Sequence, residues 1–183
     1  MRLILALTLV LTLATAVLAG GETHQIGPYI ASFKMNTSTN YSAQVIKPVE
    51  RPDVSMYGFV LKSNNTTAVS VSVNRFGNLT DATLEVGKAL VYNYLVALGF
   101  DKNAMVRYIK IDGKDGFLVE GQNSNGDTMY RATYWLDSNK CVCGPVSVGR
   151  TDVIITSILP RDVTDGLLNS FHMQMTSQTS AYS

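Results

Sequence analysis

The chain has 183 residues, 46% of them hydrophobic and 16% charged, with 15 Lys and Arg set against 14 Asp and Glu. A formal charge of +1 with no Lys/Arg cluster gives no electrostatic reason to bind nucleic acid or anionic lipid. The length suits one domain with its own core.

The chain opens MRLILALTLVLTLATAVLAGGETHQ. Arg2 supplies a positive start, Leu3 to Leu18 are apolar residues and threonines, and Val17 and Ala19 place small side chains where a peptidase would cut. Residues 1–19 thus read as a secretory signal peptide, which puts the mature protein outside the cell or at its surface. The rival reading is a retained anchor; the run is near the short end of the ~17–25 residues that span a bilayer, which favours cleavage. Membrane contact is expected only through that segment left uncleaved. Asn36, Asn40, Asn64, Asn65 and Asn78 each begin an N-x-Ser/Thr triplet without an intervening proline, so a glycoprotein is expected where the machinery exists.

Strands are predicted over residues 28–34, 41–48, 55–63 and 66–76. In the last, Val69, Val71 and Val73 alternate with Ser70, Ser72 and Asn74, the period of a half-buried antiparallel strand. The period then changes. Thr80 or Asp81 can cap a helix running to Leu98, with Leu84, Val91, Tyr94, Leu95 and Leu98 on one face and Gly99 after its last turn. Strands resume at 104–111, 117–122, 128–136 and 151–159. The sequences DGKDG and NSNGD between them read as hairpin turns in preference to calcium loops, since neither has the twelve-residue ligand pattern. After Pro160, Asp162 can cap a short helix with Val163, Leu167, Leu168 and Phe171 on one side. Residues 173–183 carry no charge and read as a flexible polar tail. The expectation is a single α+β domain over 20–172: an antiparallel sheet of about seven or eight strands with one long helix and one short C-terminal helix.

The segments YIKIDGKDGFLVEG, YRATYWL and VIITSILPRDVTDGLLNSFHM carry a resemblance. Their order resembles the PsbP-like fold, and the IDG-x-x-G hairpin, YWLD strand end and LLNSxH helix resemble small secreted proteins of methanogenic archaea. The resemblance implies a PsbP-like arrangement and an accessory or binding role. It carries over no functional residue.

Cys141 and Cys143 are the only cysteines. In an extended strand their side chains would share a face with backbones roughly 6.5–7 Å apart, at or beyond disulfide reach, though Gly144-Pro145 could bend the chain. Three readings compete: two reduced, partly buried thiols; a strained local disulfide or an intermolecular one; and a redox or metal role. The metal role lacks ligands, because His24 and His172 are the only histidines and neither has motif spacing to the cysteines. There is no G-x-S-x-G, P-loop or G-x-G-x-x-G. A carboxylate pair such as Glu120 with Asp127 has no spacing that sets it apart from ordinary surface acids. Tyr130 and Tyr134 share one strand face and Trp135 takes the other, so an aromatic binding surface is conceivable there.

The expected function is a secreted or cell-surface, non-enzymatic binding or accessory protein without a cofactor, whose partner is a protein, peptide or glycan of the cell exterior. The alternative is an extracellular hydrolase or a thiol-dependent redox protein using Cys141 and Cys143.

Overall fold

A computed structural model of the protein describes residues 21–77, 104–123, 125–137 and 149–176. Strands hold 66% of this structure, in two antiparallel sheets with one short helix, so the fold is mostly β. That corrects the expected α+β class. The alternating period governs nearly every described segment, and the one helical segment among them is ten residues long. The long helix expected up to Leu98 lies outside the described residues.

In chain order the elements are β1 (Gly21–Ile26), β2 (Tyr29–Lys34), β3 (Ser42–Glu50), β4 (Val54–Ser63), β5 (Thr66–Phe76), β6 (Met105–Ile111), β7 (Lys114–Gln122), β8 (Thr128–Trp135), β9 (Thr151–Ser157), α1 (Arg161–Ser170) and β10 (His172–Met175). The large sheet runs β3-β4-β5-β9-β8-β7-β6 and the small one β1-β2-β10. Two meanders, β3-β4-β5 and β6-β7-β8-β9, are thus sewn together by β5 against β9, in a register that sets Val71 opposite Ile155 and Val73 opposite Val153.

The turns follow local chemistry. Asn64 and Asn65 have φ of 48° and 65°, and Asp112 and Gly113 have φ of 54° and 71°. Both pairs sit in the left-handed region that tight hairpin turns require and that Asn, Asp and Gly tolerate. Between β7 and β8 the Asn123 side chain accepts the Asn125 and Asp127 amides at 2.9 Å each, which fixes this connection as a turn.

One face of the large sheet is buried beneath the small sheet and α1. Val69, Val71, Val73, Leu118, Ala132, Tyr134, Val153 and Ile155 meet Ile26, Tyr29, Phe33, Leu167, Leu168 and Phe171 in one core cluster. Phe33 is its centre, stacked between Phe59 and Phe171 with ring centroids 6.0 Å from each. α1 buries Val163, Thr164, Leu167 and Leu168. It starts from Pro160 without a side-chain cap, so Asp162 belongs to the first turn and is not the cap. The Ser157 and Thr164 hydroxyls instead pair at 2.8 Å, and Ser157 accepts the Leu159 amide, tying α1 to β9 inside the core.

Two strands escape the sequence reading. β1 adds the chain from Gly21 to the small sheet, and its His24 packs against the rings of Phe33 and Phe59 instead of standing in solvent. β10 pairs with β2, setting Met173 opposite Ala31 with Met173 buried. β10 thus takes in residues 173–175 of the expected tail, and residues 177–183 lie outside the described residues.

Candidate functional site

Antiparallel order brings several strand ends to one end of the sandwich: β5 and β8 finish there, and β9 and β7 begin. β10 of the small sheet runs alongside. Between them opens a cleft of about 380 Å³ lined by Arg75, Lys114, Leu136, Asp137, Thr151, Met173 and Met175. Arg75 follows the inward-facing Val73 by two residues, and Lys114 precedes Gly116, whose partner is the inward-facing Tyr134. Strand alternation thus puts both cations on the core side of the sheet.

Among the described residues neither Arg75 nor Lys114 has an ion-pair partner. The nearby carboxylates are already engaged. Asp137 accepts the Thr151 amide at 2.7 Å through Oδ1 and the Thr151 hydroxyl at 3.2 Å through Oδ2. Asp112 meets His172 Nδ1 through Oδ1 and accepts the Met173 amide at 3.1 Å through Oδ2.

Two tyrosine hydroxyls in this region are buried without hydrogen-bond partners, those of Tyr29 and Tyr134. Tyr29 lies beside Thr151 without closing a hydrogen bond to it, within electrostatic reach of Arg75 and Asp137. Burial pushes its phenol above the usual range, and the Arg75 charge offsets part of that rise. The Tyr134 phenol is pushed up further, by burial first and then by the Asp112 charge. Both rings therefore stay protonated and able to donate.

A second polar locus lies on the opposite face of the large sheet. There Asn74 Nδ2 donates to Asp152 Oδ1 at 2.7 Å. Burial pushes the Asp152 carboxyl up to about 6, with hydrogen bonds from Asn74 acting the other way.

No family model, curated protein or solved structure matches this chain.

The residues singled out in the sequence scatter. Cys141, Cys143 and Asn78 lie outside the described residues. Asn36, Asn40, Asn64 and Asn65 are exposed. Tyr130 and Tyr134 face the core and Trp135 the other side, all three buried, so they leave no exposed aromatic row on β8. Glu120 pairs with Arg161 at 2.8 Å, whereas Asp127 accepts Asn123 Nδ2 at 3.2 Å; the two acids work apart. His24 pairs with Glu22, and His172 is on β10 bound to Asp112. Among the described residues no three His, Cys, Asp or Glu side chains gather as a metal site, and no helix is long and apolar enough to cross a membrane. The cleft residues Arg75, Lys114, Asp137 and Thr151 carry no motif. Only the strand order brings them together.

Proposed function

We propose that this chain is a non-enzymatic binding or accessory protein of the cell exterior and that the cleft beside Arg75, Lys114 and Met175 receives its ligand. One observation carries the reading: Arg75 and Lys114, two cations without ion-pair partners among the described residues, line a cavity of about 380 Å³. Binding pockets are commonly largely preformed, mostly apolar and few per protein, with a small number of convergent polar groups. The signal-like residues 1–19 and the exposed sequons Asn36, Asn40, Asn64 and Asn65 support the location. The sequence resemblance to small secreted proteins leans the same way.

The test is thermal unfolding of the full chain against a panel of small acids, amines, sugars and short peptides. A ligand of the folded state raises the melting temperature by mass action. Met175 lines the cleft and is 58% exposed, so Met175→Trp fills the space without touching the core. A compound that stabilises the wild type and not Met175→Trp supports the reading. A panel that stabilises neither, or both equally, sinks it. The location is tested by the intact mass of protein recovered from culture medium, which reports cleavage after Ala19, glycan mass and thiol state together.

A further inference from the structure

We infer that the cleft selects a small organic anion, specifically a carboxylate bearing a short apolar chain. This rests on the cleft being a binding site and adds the ligand's chemistry. The charge balance sets the sign. Arg75 and Lys114 contribute two positive charges without ion-pair partners among the described residues. Opposing them in the lining is Asp137, whose two oxygens accept the Thr151 amide and hydroxyl. An incoming amine would meet two like charges against that one carboxylate. An incoming carboxylate would find a guanidinium and an ammonium against it.

The register places these groups. Arg75 is opposite Thr151 in the large sheet, and Met175 is opposite Tyr29 in the small one. The Tyr29 hydroxyl reaches across to the neighbourhood of Arg75 and Thr151. The polar end of the cleft is the planar fork of Arg75, and Lys114 adds charge from the start of β7. Leu136, Met173 and Met175 provide the apolar lining, and methionine adapts to chains of different shape. A head of two oxygens with a short hydrocarbon tail matches both parts.

The experiment titrates the full chain with hexanoate, hexan-1-ol and hexylammonium, probes that share a tail and differ in the head. Calorimetry or ligand-observed NMR reads the binding. Hexanoate is expected to bind more tightly than hexan-1-ol, and hexylammonium to bind least. Arg75→Gln should weaken hexanoate about tenfold, as loss of one charge-assisted pair does, and leave hexan-1-ol unchanged. Lys114→Gln should weaken hexanoate several-fold. Arg75 and Lys114 are not in the core, so their variants keep the fold, which circular dichroism checks. Hexan-1-ol or hexylammonium binding as tightly as hexanoate, and lost in Met175→Trp, overturns the anion assignment and leaves the cleft standing. Hexanoate binding that ignores both charge variants and Met175→Trp overturns both, as does no binding of any probe.

Discussion

His172 Nδ1 lies 2.5 Å from Asp112 Oδ1, joining the last strand to a hairpin turn sixty residues earlier in the chain. The same carboxylate takes the Met173 amide through its second oxygen. Asp112 is at once a turn residue with φ of 54°, an ion-pair partner and a backbone acceptor. It fixes β10 against the end of the large sheet, and so holds Met173 and Met175 in the cleft wall.

Asp112→Asn and Asp112→Ala separate those duties. Asparagine tolerates the left-handed turn and keeps one acceptor, while alanine adds backbone strain and leaves the Met173 amide without its partner. The His172 side chain is 55% exposed, so the ion pair itself is worth little and the amide bond dominates. The expected loss is about 1 kcal/mol for Asp112→Asn and about 2–3 kcal/mol for Asp112→Ala. Urea unfolding measures it, and equal midpoints for wild type and Asp112→Ala would show that the turn does not anchor β10.

Gly27 is the second position where backbone and packing coincide. Its φ is 59°, and a side chain there would run into the Tyr57 ring. That ring is held because Tyr57 Oη donates to Glu50 Oε1 at 2.6 Å. Gly27→Ala should therefore cost about 2–3 kcal/mol, roughly 1 kcal/mol from the left-handed φ and the rest from displacing the ring. In a Tyr57→Ala background only the first part remains. The double-mutant cycle should show a coupling of about 1–2 kcal/mol. Strict additivity would remove Tyr57 from the explanation.

The same kinds of local signal decide what could be read without a structure. β4 and β5 announce themselves by alternation around Asn64-Asn65, and β6 and β7 by Asp112-Gly113. β1 does not, because GETHQI presents His24 where an apolar letter would mark the inward face, and only packing on Phe33 and Phe59 makes that histidine part of the interior. β10 hides because four residues straight after a helix have no period of their own. The cleft is less legible still. Arg75, Lys114, Thr151 and Met175 come from four distant parts of the chain and meet through the β5–β9 pairing. No turn or alternation encodes that pairing. The α+β expectation rests on a helical period that ends at Leu98, outside the described residues, whereas the described structure is mostly strand.

β3 is an edge strand in which all nine residues are exposed, among them Val45, Ile46 and Val49. Such an edge invites pairing with another chain. The register breaks between Ile46 and Val49, where Lys47 and Pro48 sit. A bulge, a charge and a residue without an N–H each blunt an edge. Pro48→Val should restore a continuous β strand edge with an added donor. Sedimentation at rising concentration is expected to show an average mass that climbs more steeply than in the wild type. Superimposable profiles would mean that Pro48 does not guard this edge.

Asp152 gives the protein a pH dependence with a defined sign. Its carboxyl titrates at about 6 in the folded chain because burial outweighs the Asn74 hydrogen bonds and the Asp137 charge adds to the rise. In the unfolded chain an aspartate titrates near 3.9. The folded state thus binds this proton more tightly, and between roughly pH 4 and pH 6 stability falls as pH rises. The penalty is absent below that window and complete above it, at about 1–3 kcal/mol for a displacement of this size at ~1.4 kcal/mol per unit. Asp152→Asn keeps the shape, keeps an oxygen to accept Asn74 Nδ2, and never carries the charge. It should raise the unfolding free energy from urea titration near pH 7.5 by that amount and change little near pH 4. An equal gain at both pH values would point to packing at Asp152, and a loss near pH 7.5 would show that the ionised carboxylate is held by the fold and not merely tolerated.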